Sequence, residues 1–308
     1  VQERIGASRI IGVVKGNAYG HGALLVSRAY LECGVDRLGV ATLSEAKQLR
    51  DAGIGCKIVM LGLIPEEYAD AAVDLGVSPL VSTYAFAKAV SDEAARVGAT
   101  AELYLAVDTG MGRIGFLPEE ASLPEIRRIA ALPNTALTGY FSHFSSADLP
   151  DLAYTRLQQE RFDRFYRMLA DTGIQIPIRT IANSPAIFRL PETFYEAVRP
   201  GTVIWGCYPA CVADRDTVKV RPVMSVKAKV IYVKTVPRGT AISYGRRFVT
   251  QRESRIATLP LGYVDGYTRA FLGKGRVLIR GEFAPVLGTI CMDQVMVDVT
   301  RSEEHTSE

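Results

Sequence analysis

The chain has 308 residues, 48% of them hydrophobic, and its 36 basic and 33 acidic side chains leave a net charge of +3. That is enough apolar residue for one large domain and a smaller one, and no basic block or stripe carries the signature of nucleic-acid binding. No stretch reads as a signal peptide or an apolar membrane span. Five cysteines, at positions 33, 56, 207, 211 and 291, form no CxxC pair. They fit a reduced, cytoplasmic protein with free thiols. Cys207 and Cys211 could ligate a metal, but the chain has three histidines and no His cluster, so they read as structural.

The first apolar run, Ile10 to Val14, reads as a buried strand, and Lys15 stands at its carboxyl end within VVKGNAYGHG. Ligands of α/β folds bind at the carboxyl ends of strands. An amine with a pKa lowered by burial could there form a Schiff base with a carbonyl such as that of pyridoxal phosphate. Further strands are predicted at 36–40, 57–61, 78–81, 101–107, 136–142, 178–182 and 195–199. Amphipathic helical stretches separate most of them. The clearest covers 153–172, where Leu157, Phe162, Phe165 and Leu169 can share a face and Gly173 ends the helix. Another begins at Ser44-Glu45 and ends before Gly53, and Pro65 and Pro118 sit where helices should start. Eight strands alternating with helices imply parallel pairing and an N-terminal (β/α)8 TIM-type barrel. A doubly wound open sheet is the alternative, but no GxGxxG follows a strand. From Val223 onward there are strand-like runs, at 225–236, 254–260, 276–280, 284–290 and 295–299, and no convincing helix. The expectation is an α/β barrel over 1–215 followed by a mostly β C-terminal domain over 216–300, with the linker near Val212–Asp216.

Several strand ends carry chemistry. Asp108-Thr109-Gly110-Met111-Gly112-Arg113 combines a backbone that a ligand can approach closely with a planar donor fork for a carboxylate or phenolate. His143 follows the sixth strand. Asn183-Ser184-Pro185 follows the seventh, where Ser184 could be the N-cap of a helix and serve a phosphate. Arg199-Pro200-Gly201-Thr202 follows the eighth, offering a second arginine and backbone amides. In the β domain, Ile242-Ser243-Tyr244-Gly245, the run Leu259 to Tyr267, and Cys291-Met292-Asp293-Gln294 stand out. Taken singly, each reads as a cap, a turn or packing. Their shared position at successive strand ends favours a site.

Together, and in this order, VVKGNAYGHG, DTGMGRIGF, SHF, ANS, VRPG, SYG, LGYVDGY and CMDQ resemble the alanine racemase family from about Val13 to about Val299. The resemblance implies a pyridoxal-phosphate enzyme that interconverts L- and D-alanine for peptidoglycan precursors. Lys15 would carry the cofactor. Tyr19, Ser184 and the backbone of Gly201 and Thr202 would hold its phosphate, with His143 and Asn183 in the same surroundings. Arg199 would face the pyridine nitrogen and, as a weak acid, damp the electron sink. Arg113 would bind the substrate carboxylate, with Met292 and Tyr263 lining that region. Lys15 and Tyr244 would be the bases on opposite faces of Cα, with His143 assisting the tyrosine. Tyr244, Met292 and Tyr263 would come from the other subunit, which makes a homodimer part of the mechanism. Asp148 and Arg269 fall where the family places residues along the substrate's way in. No metal is implied.

The chain departs from the family pattern at Ala106, where many members carry a carbamylated lysine, and at Gly16, where alanine is more usual. Arg113 must then be held by an anion or a neighbouring side chain. Family members also begin earlier, with a helix over the barrel, and end later. The expectation is a fragment, less soluble and less active than its parent. The segment 301–308 reads like a translated sequencing adapter. Serine or broad-specificity racemases of the family and a non-catalytic PLP-binding homologue are the alternatives. The β-domain motifs argue against the last, and DTGMGRIGF with VRPG argues against the related decarboxylases.

Overall fold

The computed structural model describes residues 1–210, 215–216 and 218–301. It divides into two compact units, Val1–Met224 and a second starting at Ser225. The linker expected near 212–216 falls mostly outside the described residues, as do Cys211 and 302–308.

In the first unit, parallel strands β1 (Arg9–Val13), β2 (Arg37–Val40), β3 (Lys57–Met60) and β4 (Val77–Ser78) pair in sequence, with β9 (Ala197–Val198) on the free side of β1. A second parallel sheet holds β5 (Leu80–Val81), β6 (Ala101–Ala106), β7 (Thr135–Phe141) and β8 (Ile178–Thr180). Only Pro79 separates β4 from β5. Proline has no N–H for a ladder, so one strand breaks there and serves both sheets. Its carbonyl still accepts from Tyr104 at 2.9 Å. Between β8 and β9 side chains and the strand ends close the ring. Arg199 N–H donates to Ala182 O at 2.9 Å, and Glu196 accepts from the backbone N–H of Arg179 at 2.9 Å. Eight strand positions result, as a (β/α)8 barrel requires.

The interior is packed rather than hollow. Ile11, Val59, Leu80, Tyr104, Phe141 and Ile178 meet there. Gly139 makes room for the largest of them, because a Cβ at that position would come within 2.0 Å of the Tyr104 ring. Leu103 and Leu105 alternate outward into the larger cluster beneath the helices.

Helix α1 (Gln2–Ile5) precedes β1, and the helical turn α2 (Lys15–Tyr19) follows it. Next come α3 (Ala23–Glu32), α4 (Leu43–Asp51), α5 (Ala69–Asp74), α6 (Tyr84–Arg96) and α7 (Leu123–Ala130). The long α8 (Ala153–Asp171) and α9 (Ser184–Arg189) complete the set. Along α8 the buried residues are Thr155, Gln158, Phe162, Phe165 and Leu169. Leu157, expected on that face, is 37% exposed. It lies about 100° from Gln158 around the helix, and the 3-4-3-4 spacing selects the polar residue instead. Pro65 caps a short 3-10 turn that leads into α5. Pro118 does not start α7: a 3-10 turn at Glu120–Ser122 intervenes, and Pro124 is the proline of the first helical turn. Outside β1, between α3 and Trp205, lies a largely apolar groove of about 810 Å³ bounded by Ile10, Val26, Ala29 and Val223.

The second unit is a five-stranded antiparallel sheet. Its order is β10 (Tyr232–Val236), β13 (Ser254–Leu259), β16 (Val295–Asp298), β15 (Glu282–Leu287) and β14 (Arg276–Ile279). A small pair, β11 (Ala241–Ile242) and β12 (Phe248–Val249), stands apart. The strand expected from 225 begins only at Tyr232, because its partner β13 ends at Leu259 and leaves the preceding residues no ladder.

Candidate active site

The carboxyl ends of the barrel strands surround a cavity of about 380 Å³ lined by Lys15, Tyr19, Arg113, His143, Asn183, Ser184, Arg199, Gly201 and Thr202. The barrel residues that the resemblance assigns to cofactor or substrate thus meet at one place. Asp148 lines it too.

Lys15 opens α2, and this turn is left-handed. Gly16, Asn17 and Ala18 have φ/ψ of 61/42, 52/46 and 53/48°, and Tyr19 has φ 56°. Such geometry costs roughly 1–2 kcal/mol for each non-glycine residue, so local bonds must hold it. Asn17 Oδ1 accepts from Ala23 N–H at 2.8 Å, and Glu45 Oε1 accepts from Gly16 N–H at 2.6 Å. Glu45 closes the capping box of α4 with Thr42, and its Oε2 accepts from Ala41 N–H at 2.7 Å. One carboxylate therefore pins the chain after β1 to the chain after β2. The turn brings Tyr19 Oη against Gly201, where any Cβ would lie 2.6 Å from it. Behind, Trp205 stacks on His21 with centroids 4.2 Å apart and lies 5.7 Å from the Tyr19 ring.

The loop after β6 winds around the Asp108 carboxylate. Oδ1 accepts from the N–H groups of Gly110, Met111 and Gly112 at 2.9–3.0 Å, and Oδ2 from that of Arg113 at 3.0 Å. Four backbone donors on one aspartate fix the path that delivers Arg113. Ala106, where the sequence departs from the family pattern, is fully buried in the barrel interior.

Arg199 is buried within the barrel mouth. It donates to Thr180 Oγ1 at 2.7 Å, Ser142 O at 2.5 Å and His143 Nδ1 at 3.1 Å, and lies over the Phe141 ring. A guanidinium only donates, so His143 Nδ1 is the acceptor and its Nε2 carries the proton. Burial, with Arg199, Arg113 and Lys15 adding, pulls the His143 pKa down to about 3. Burial and Arg113 lower Arg199 to about 9, which leaves it cationic at neutral pH. Lys15 is lowered by burial and then by Arg113 and Arg199, against a smaller upward effect of Glu45. Two guanidiniums and an amine face a space in which, among the described residues, Asp148 is the one lining carboxylate, so the site favours a ligand with more than one negative group.

Ser184 does not cap α9 as the sequence suggested. Asn183, extended at φ −97° and ψ −175°, is the cap and accepts from Ala186 N–H at 3.3 Å. Ser184 Oγ instead accepts from the N–H groups of Gly201 at 2.8 Å and Val203 at 3.3 Å. The Gly201 amide is thereby occupied, and what Gly201 offers is space. The Ser184 hydroxyl keeps its own proton free to donate.

The second unit, taken by itself, gathers its three candidates at one end. Tyr263 N–H donates to Cys291 O at 3.1 Å, and Thr289 Oγ1 donates to Tyr244 O at 2.8 Å. Tyr244, Met292 and Tyr263 are 67, 56 and 41% exposed. Arg269 lies over the Tyr263 ring, 4.7 Å from its centroid. Glu45 and Gln158, which bond the loops around the site without lining its cavity, were not singled out as site residues in the sequence. The capping-box spacing marks Glu45 as a helix residue, and nothing local marks Gln158. Among the described residues no cluster of His, Cys, Asp or Glu could hold a metal, and no helix is long and apolar enough to cross a membrane.

The family model for the alanine racemase N-terminal domain matches residues 1–209, and that for the C-terminal domain matches 223–308. An alanine racemase of Clostridium novyi is 46% identical over 300 residues, 97% of this chain and 78% of that protein. The structure of alanine racemase from Clostridium difficile 630 superposes with a TM-score of 0.90 at 36% identity, covering 96% of this chain and 78% of its own. Alanine racemase from Bartonella henselae, with covalently bound pyridoxal phosphate, gives a TM-score of 0.85 at 25% identity, covering 100% of this chain and 82% of its own.

Proposed function

The chain belongs to the alanine racemase family, and from that premise we propose that it interconverts L- and D-alanine with two bases in a pyridoxal-phosphate-loaded homodimer. The observation that carries this reading is Lys15 at the end of β1, inside a cavity shared by Arg113, Arg199, His143, Ser184 and Tyr19.

The residues present fit the cofactor. Gly201 leaves a side-chain-free space beside Tyr19 Oη, and the Ser184 hydroxyl proton is directed by two accepted bonds. Tyr19, Ser184 and the Thr202 backbone would hold the phosphate, and Lys15 the carbonyl carbon. Pyridoxal phosphate, when bound, supplies an electron sink that acidifies the Cα–H of alanine. Arg199 keeps its protons at neutral pH and so limits that sink, which shortens the life of the deprotonated substrate and favours racemisation over side reactions. Arg113 binds the alanine carboxylate.

Lys15 holds or releases the proton on one face of Cα. Its lowered pKa makes the neutral amine accessible nearer to neutral pH. Tyr244 of a partner subunit serves the other face. This assignment is supported by the exposure of Tyr244 on a unit whose Tyr263 and Met292 share its end. His143, protonated on Nε2, donates toward the phenol oxygen and eases release of its proton. The D-alanine formed feeds cell-wall precursor synthesis in the cytoplasm.

The test is Cα exchange. L-alanine is incubated with the protein and pyridoxal phosphate in deuterium oxide, and the Cα-proton signal is followed by NMR. Loss of signal with D-alanine appearing supports both bases. Exchange without D-alanine leaves one working base and defeats the two-base reading. No exchange in a cofactor-loaded protein defeats the reading for this chain.

A further inference from the structure

Gln158 is fully buried on α8, yet its amide serves no group of its own helix. Its Oε1 accepts from Ser145 N–H at 3.0 Å and Ser145 Oγ at 3.1 Å. Its Nε2 donates to His143 O at 3.0 Å and, at a longer 3.5 Å, to Thr109 Oγ1. Both donors and both acceptor sites of the amide are thus used, all on two loops that belong to different strands. Thr109 lies in the loop that delivers Arg113, and Ser145 follows His143. A buried hydroxyl contact, Thr109 Oγ1 to Ser142 Oγ at 2.8 Å, ties the same two loops. Tyr154 and Arg161, one turn before and after on α8, donate to Gly110 O at 2.7 Å and Thr109 O at 3.1 Å.

We propose that Gln158 is a positioning residue that locks the Arg113 loop to the His143 loop, so that the carboxylate-binding guanidinium and the imidazole keep one fixed register. This rests on the racemase reading for the roles of Arg113 and His143, but the coupling of the loops does not. An amide is suited to the task because it donates to one loop and both donates to and accepts from the other. A carboxylate in its place could still accept from Ser145 and could no longer donate to Thr109 or His143.

The experiment compares wild type, Gln158→Leu and Gln158→Glu by amide hydrogen exchange of the cofactor-free chain, then by steady-state racemisation and pyridoxal-phosphate binding. In Gln158→Leu, residues 110–113 and 143–146 should lose protection together, by about tenfold, as expected when buried bonding partners are orphaned. In Gln158→Glu, Ser145 should stay protected while 110–113 are released. KM for alanine should rise about tenfold with a smaller change in kcat, and cofactor affinity should stay within about twofold because the phosphate end uses other strands. Unchanged protection of either loop in the leucine variant, or a uniform rise across α8 with KM unmoved, overturns the proposal. A wild-type chain that binds cofactor without racemising alanine would count against the racemase reading, and the exchange data would still decide the coupling.

Discussion

Arg199 donates to Nδ1 of His143 across 3.1 Å, and this bond selects the imidazole tautomer. The proton is left on Nε2, and a second proton would have to go where a cation already points. Burial is the largest cause of the depressed His143 pKa, with Arg199 the largest charge effect.

Stability should therefore depend on His143 in acid. The unfolded histidine titrates near its ordinary 6.5 and the folded one near about 3, so between these values the unfolded chain binds more protons. The contribution is fully present above about pH 6.5 and is lost as pH falls toward 3, by a few kcal/mol at most, about 1.4 kcal/mol per pH unit. Urea titrations at pH 7, 5.5 and 4.5 should show a falling midpoint that is flatter in His143→Gln.

Cofactor capture should follow the Lys15 amine. Its pKa is lowered chiefly by burial and next by Arg113, so the rate of pyridoxal-phosphate uptake should rise with pH through a midpoint below the usual lysine value. Arg113→Ala removes a repelling charge and should move that midpoint upward. Stopped-flow absorbance at several pH values reads it. A midpoint that stayed still would argue against Arg113 as the main neighbouring charge. Lys15→Ala should abolish covalent retention and leave folding intact.

Gly201→Ala places a methyl 2.6 Å from Tyr19 Oη. Cofactor affinity should drop about tenfold through displacement of the tyrosine, with a cost in stability of about 1–3 kcal/mol from overpacking. Adding Tyr19→Phe should restore part of the stability but not the affinity, since space returns and the hydroxyl does not. Thermal melts and cofactor titrations of both variants test this, and simple additivity of the two changes would refute the steric account.

Asp108→Ala should free the four amides that the carboxylate gathers. The expected result is a fall in kcat/KM for alanine of about a hundredfold, dominated by KM. Asp108→Asn, which can still accept on one atom, should fall between. Equal kinetics in the two variants would mean that the charge rather than the wrapping matters.

The strand ends were legible because they depend on short-range sequence: an apolar run, then Lys15, Asp108, His143 or Arg199. So was a helix starting near Ser44-Glu45, although its cap is Thr42 and its first residue Leu43. The use of that same glutamate on Gly16 was not, since it joins residues 29 apart that only the β1–β2 pairing brings together. Leu157 was misplaced for a related reason. An apolar residue is the natural choice for a buried face, and only the loops waiting above α8 make Gln158 the better occupant. The Gly201 amide is a further case: nothing in the sequence shows that Ser184, at the start of α9 and 17 residues away, already accepts its N–H.

Trp205 is the sole tryptophan of the chain. Its indole is stacked on His21 and adjacent to Tyr19. The fluorescence of the whole molecule therefore has a single indole source, placed beside the turn that would grip the phosphate. The fold is self-reporting: occupancy and loosening of the left-handed turn each alter one emitter's quenching, and unlabelled protein can be watched in real time.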